Sequence, residues 1–176
     1  MILKNYKYTS DEIKRLVKSM IILVDTREQK NDHIITQLKN KAINYDNFKL
    51  DFGDYSFMLP ANDSLGITRD IYFNKEIVIE RKNSLEELSG NLSKDRNRFE
   101  NELLRKQGKF ILLIENGSID DIINGKYKTQ MNNNAFLASL LTFQHRYNIS
   151  IAYINKANTY KYICNMFAYY LKEWIK

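Results

Sequence analysis

Cys164 is the only cysteine in the chain. An internal disulfide and any zinc site built from several cysteines are thereby excluded. The residue fits a reducing cytosol, and among apolar neighbours it reads as packing rather than chemistry. Proline is nearly missing too, with Pro60 alone, and there are only six glycines. Little of the chain is therefore punctuated out of regular structure. Met20–Val24 (MIILV) is far too short for a signal-peptide core or a membrane span. An intracellular, cytoplasmic protein with no membrane partner is expected. The two histidines, His33 and His145, have no partners at ligand spacing and sit in helical patterns, so surface or packing roles are expected of them. Internal repeats, Gly/Ser linkers and low-complexity tracts are also missing.

What is present describes one domain. The chain has 176 residues, 44% of them hydrophobic, enough for a real core. A formal net charge of +6 and a pI near 9.2 admit a polyanionic partner. That pointer is weak alone, because basic surfaces also aid solubility, and the abundance of Lys, Asn, Ile and Tyr fits an A/T-rich genome. YTSDEIKRLVKS opens with Thr9 and Glu12 at capping-box spacing and sets Ile13, Leu16 and Val17 on one helical face. MIILV reads as a buried strand ending at Asp25, and NDHIITQLKNKA as a helix capped by Asn31 or Asp32. YDNFKLDFGDYSFML reads as strand, turn at Gly53, strand; RDIYFNKEIVIERK supplies two more strands. SLEELSGNLSKDRNRFENELLRKQG holds a short and a longer helix, closed by Gly108 as a C-cap. KFILLIE is a strand, SIDDIING a capped helical turn, NNAFLASLLTFQHRYN an amphipathic helix, ISIAYI a last strand, and Asn158 to Ile175 a last helix. The mixture predicts an α/β layer fold around a central sheet.

Three strand ends carry unusual charge. KEIVIERKNS drives a run of pure strand formers (Ile77, Val78, Ile79) straight into Glu80, Arg81 and Lys82. Alternation puts Glu80 and Lys82 on one face and Arg81 on the other. A lone Glu-x-Lys would read as a solvated strand end. However, ILVDTRE delivers Asp25, Arg27 and Glu28 from another apolar strand, and KLDFGDY delivers Asp54 just past a glycine turn. Carboxylates gathered at one spot repel each other unless a cation sits among them. The cation suited to carboxylates and water, with no histidine or thiol, is Mg²⁺ or Mn²⁺. With a lysine alongside, this is the minimal kit for hydrolysing a phosphodiester.

In this order, VDTREQ, GDY and IERK resemble the nuclease domain of the XPF-type structure-specific DNA endonucleases, the ERCC-four-type domain. The similarity runs through SLEELSGNLSKDRNRFENELLR and KFILLIE, from about Met20 to Glu115. The resemblance implies a restriction-endonuclease-like fold with a mixed central sheet flanked by helices, metal-dependent cleavage of branched DNA, and dimerisation through this domain. It makes Asp54 and Glu80 the principal metal ligands and Lys82 the catalytic lysine. Asp25 and Glu28 would line the same site, Asp25 assisting the metal, while Arg27 and Arg81 would serve phosphate or site architecture. Where the family has a final aspartate this chain offers Glu86 or, by an equal local alignment, Glu87. Residues 1–19 are expected to form a leading helix of the same domain as residues 20–176, with no helix-hairpin-helix or helicase domain.

Further candidates lie around this set. On a helix Leu92, Arg96, Phe99 and Leu103 share a face, so Arg96 is expected either to pair with Asp54 or Glu80 or to clamp substrate phosphate, with function favoured. Arg98 is expected in solvent or as an outer phosphate contact. Lys126, Tyr127 and Lys128 sit in an amide-rich loop that suits a DNA backbone and an unpaired base, or simply water. In the last helix Tyr160, Ile163, Phe167, Leu171 and Trp174 form a core stripe. Tyr162, Met166 and Tyr169 form a second, read as a homodimer or heterodimer interface, with packing under the first helix as the alternative. The expectation is thus an Mg²⁺/Mn²⁺-dependent endodeoxyribonuclease acting on branched DNA. The rival is a catalytically silent nuclease-like domain that binds branched DNA or supports an active partner. A basic RNA-binding module is disfavoured by the missing recognition aromatics.

Overall fold

Thr9 opens the first regular element in the computed structural model, which describes residues 7–176; residues 1–6 of the expected leading segment lie outside the described residues. The Thr9–Glu12 capping box forms in both directions and starts α1 (Ser10–Ser19). Next come β1 (Ile21–Val24), α2 (Asp32–Asn40), β2 (Tyr45–Asn47), β3 (Tyr55–Leu59), β4 (Ile71–Tyr72) and β5 (Ile77–Lys82). The second half supplies α3 (Leu85–Leu92), α4 (Arg96–Arg105), β6 (Lys109–Glu115), α5 (Ile119–Ile123), α6 (Asn133–Tyr147), β7 (Ser150–Ile154) and α7 (Thr159–Trp174). Asn31 is the residue that precedes α2, as one of the two expected caps.

The strands form one mixed sheet in the order β2-β1-β3-β5-β6-β7, with β4 alongside β3. β1 is parallel to β2, and β5, β6 and β7 are mutually parallel, while β3 runs against both β1 and β5. Tyr45–Asn47 and Tyr55–Leu59 thus form no hairpin, because β1 separates them. This mixed sheet with helices on both sides is the expected α/β architecture.

Side-chain alternation along the strands builds two cores. Ile22, Val24, Phe57, Ile77, Ile79, Ile111 and Leu113 pack with α1, α2 and α7. Val78, Leu112 and Ile114 pack with Leu88, Phe99, Phe136 and Phe143 from α3, α4 and α6. The alternation continues past the apolar run, so Arg81 follows Ile77 and Ile79 to the first side. Glu80 and Lys82 follow Val78 to the second.

One expectation needs correcting. Gly108 is not the C-cap of α4, which ends at Arg105 with Lys106 as its cap. Instead the Gly108 N–H donates to Lys75 O at 2.9 Å, and a Cβ here would lie 2.0 Å from the Glu76 carbonyl oxygen. The glycine is required by close backbone approach, a long-range fact. Among the described residues no helix is long and apolar enough to cross a membrane.

Candidate active site

Because β3 runs antiparallel to its neighbours, its first residue, Tyr55, lies beside Val24 at the end of β1 and Ile79 just before Glu80 on β5. Asp25 N–H donates to Asp54 O at 2.8 Å, and Asp54 N–H donates to Ile79 O at 2.9 Å. Asp25, Asp54 and Glu80 are therefore carried side by side at one edge of the sheet. Gly53 makes the turn into β3 with φ of +74° and presses against Val78, a conformation and a fit that suit glycine.

On the α3/α4 side, Lys82 Nζ lies 2.5 Å from Glu80 Oε1, both side chains almost fully buried. The ammonium also sits 5.3 Å from the centre of the Phe99 ring. Burial pushes the Asp54 carboxyl well above the usual carboxylate range, and the charges of Glu80 and Glu28 push it further. Burial likewise raises Glu80 to about 7, against the pull of Lys82 and with a further push from Glu102. Burial alone would lower Lys82, but Glu80 and Asp54 hold it protonated above its ordinary range. Two buried carboxyls reluctant to ionise, next to one committed ammonium, leave the pocket short of positive charge.

Arg81 meets the opposite situation. Its guanidinium pairs with Glu28 through Nε and Nη2, donates to Glu115 Oε2 at 2.9 Å and reaches Gln29 O at 3.2 Å. Glu115 Oε1 accepts from His33 Nε2 at 2.7 Å and from Thr159 Oγ1 at 2.6 Å. Arg81 is thus not a free cation facing the pocket; it is an ion-pair centre behind the sheet, while its backbone N–H donates to Asp54 Oδ2 at 2.7 Å. Asp25, expected to assist the metal, is held by hydrogen bonds within the chain. Both of its oxygens are engaged, Oδ1 by Arg27 N and Nε and Oδ2 by Arg27 Nη2 and Leu50 N, at 2.8–2.9 Å. Burial would raise its pKa, but the Arg27 and Leu50 hydrogen bonds hold it below the ordinary value. Asp25 thereby fastens Arg27 and the Leu50 loop at the same edge that carries Asp54 and Glu80.

Comparison with known proteins bears on the family and the fold. The ERCC4 domain model matches residues 24–166. This chain belongs to the ERCC4 domain family. Its fold is that of the XPF nuclease domain: XPF from Aeropyrum pernix superposes with a TM-score of 0.61 at 16% identity, over 88% of this chain and 69% of that one. The same archaeal protein in complex with DNA superposes with a TM-score of 0.61 at 15% identity, over 87% and 65% respectively. No curated protein sequence matches the chain.

The outer residues of this ERCC4 domain divide clearly. Arg27 keeps its side chain 61% exposed beside the pocket while bound to Asp25. Arg96 does not reach Asp54 or Glu80: it pairs with Glu100 at 3.2 Å and lies 4.9 Å from the Phe143 ring, so the face it shares with core residues meets α6. Arg98, Lys126 and Lys128 are exposed. Tyr127 packs edge-on against Phe136 and donates to Met131 O, which rules it out as a free stacking platform. Glu86 accepts from Lys128 N at 2.9 Å and ties that loop to α3, whereas Glu87 stands 4.0 Å from Lys82 Nζ. Of the two candidates for the family's last aspartate, Glu87 is the one beside the pocket. Tyr162, Met166 and Tyr169 line two adjoining grooves of about 450 and 500 Å³ between α7 and the edge strand β7, with Tyr169 62% exposed.

Three participants escaped sequence reasoning. Glu102 accepts from Gly53 N–H at 3.1 Å and adds its charge to that felt by Glu80; its i+3 spacing from Phe99 was the available signal. Glu115 and His33 had no signal beyond position. Among the described residues no three His, Cys, Asp or Glu side chains are close enough to hold a metal ion by themselves. The residues present still fit Mg²⁺ or Mn²⁺, since such ions keep several waters and take one or two carboxylates together with a substrate phosphate. Burial, helped by neighbouring carboxylates, raises the proton affinities of Asp54 and Glu80, and a cation placed between them would oppose both effects.

Proposed function

We propose that this XPF-family nuclease domain is an active endonuclease that hydrolyses phosphodiester bonds in branched DNA, using Mg²⁺ or Mn²⁺. The observation that carries this reading is the buried Glu80–Lys82 pair next to Asp54, a buried carboxyl held above its usual range, at an edge with more carboxylate than cation. Asp54 and Glu80 would hold the ion, with Glu87 at its margin. When bound, the ion supplies Lewis-acid activation of the scissile phosphate and of water.

The chain's own residues supply the rest. Glu80 keeps Lys82 in one rotamer, so its ammonium is preorganised for negative charge building on phosphate. Arg27, Arg98, Lys126 and Lys128 offer exposed positive charge for the DNA backbone. The grooves at Tyr162, Met166 and Tyr169, beside the unpaired edge of β7, suit a second copy or a related subunit.

The deciding experiment is cleavage of labelled flap, fork, four-way junction and linear duplex DNA with Mg²⁺, Mn²⁺ or chelator, for wild type and Asp54→Asn. Metal-dependent nicking of branched DNA that disappears in Asp54→Asn is the expected result. Tight binding to branched substrates without cleavage under either metal would replace this reading with the silent-module one.

A further inference from the structure

We propose that Glu115 is a positioning residue for this site, a role that rests on the nuclease reading above. Glu115 is completely buried at the end of β6, on the far side of the sheet from the Glu80–Lys82 pair. It receives three hydrogen bonds from three different elements: Arg81 on β5, His33 on α2 and Thr159 at the start of α7. A carboxylate buried this deeply needs such partners, so the cluster is held as a unit.

What it holds is Arg81, and Arg81 has two connections to the pocket. Its guanidinium fixes Glu28, whose charge is felt by Asp54, and its own peptide N–H donates to Asp54 Oδ2. A swing of the Arg81 guanidinium would release Glu28 and change the field at Asp54, and loosening of the residue as a whole would loosen its N–H bond to Asp54 Oδ2. Glu115 touches neither substrate nor reacting atoms. It acts by stopping that swing, as outer partners of ligating groups do.

The test uses the full chain with Glu115→Gln, which keeps shape and an acceptor but removes the charge. Thr159→Val removes one supporting bond and serves should Glu115→Gln not fold. Rates are measured on a branched substrate at saturating protein, well below every melting temperature, together with DNA affinity and exchange of the Arg81 Nε–H by NMR. The expected result for Glu115→Gln is a cleavage rate about ten- to a hundredfold lower, with DNA affinity within about twofold of wild type. Exchange at Arg81 Nε–H becomes faster, and Thr159→Val shows the same changes to a smaller extent. A lowered melting temperature with unaltered rate per folded molecule overturns the positioning role, and so does unaltered Arg81 exchange. A wild type that cuts no DNA overturns the nuclease reading itself and the positioning role with it.

Discussion

Glu80, Arg81 and Lys82 are consecutive on one strand and equally buried, yet the two sides of the sheet treat them differently. Behind the sheet, Arg81 is surrounded by acceptors: Glu28, Glu115 and Gln29 O take its guanidinium, and His33 and Thr159 complete Glu115. Burial would raise Glu115, but Thr159, His33 and Arg81 hold it below its ordinary pKa. In front, Lys82 is one ammonium among Asp54, Glu80, Glu87 and, through its charge on Glu80, Glu102. There burial pushes Asp54 and Glu80 upward, with added repulsion from Glu80 and Glu28 on Asp54 and from Glu102 and Glu28 on Glu80. Buried charge that is fully paired behaves as architecture; buried charge left in excess of one sign is available to a ligand.

The sharpest way to break this comparison is Asp54→Asn. It should reduce cleavage roughly a thousandfold, while the melting temperature rises because the cost of burying a carboxylate is gone, together with its repulsion by Glu80 and Glu28; parallel kinetics and thermal melts read both effects. A loss of stability instead would mean that Asp54 is paired as Arg81 is.

Removing each cation comes next. Arg81→Met leaves Glu28 and Glu115 uncompensated and should cost about 3–5 kcal/mol in denaturant melts. Lys82→Met should cost only about 1 kcal/mol, because Glu80, already raised to about 7, simply takes up a proton. Equal costs would erase the distinction between the two faces.

The pH dependence of stability should also have opposite signs on the two sides. Glu80 binds its proton more tightly folded than unfolded, its pKa moving from 4.5 to about 7. Its contribution is fully present below about pH 4.5 and is lost as pH rises through about 7 in chelator. Glu80→Gln should flatten that part of the profile, and added Mn²⁺ should do so too. Asp25 and Glu115, both lowered, contribute stability above their unfolded pKa values that is lost as pH falls through the folded ones. The check is a set of melts from pH 4 to 9 on wild type and variant.

The smallest effect separates two neighbours. Glu87→Gln, beside Lys82, should lower the cleavage rate several-fold, on the order of 1 kcal/mol in the barrier. Glu86→Gln, which holds the Lys128 loop, should leave the rate at saturating DNA unchanged and weaken DNA binding slightly. Single-turnover kinetics distinguish rate from affinity.

Much of this was legible along the chain. The Thr9–Glu12 box and the apolar strand cores are local patterns, and all of the expected strands and helices form. Period-two alternation was enough to put Glu80 with Lys82 and Arg81 opposite them. The pairing of Arg96 with Asp54 or Glu80 does not form because helical spacing gives a face but not its neighbour, and that neighbour is α6. Gly108 was misread for a similar reason: a glycine after a helix suggests a cap, while the close approach is to Glu76, far away along the chain and adjacent only in the fold.

The sequence by itself determined which residue types stand at the strand ends, since apolar runs, caps and alternation depend on near neighbours alone. The tertiary structure decided their partners. Placing β3 antiparallel between β1 and β5 brought Asp54 beside Glu80, and stacking α2 and α7 over β6 gave Arg81 its Glu115, His33 and Thr159 surroundings. Burial then set the charge states, because a carboxylate's proton affinity depends on what the fold packs around it.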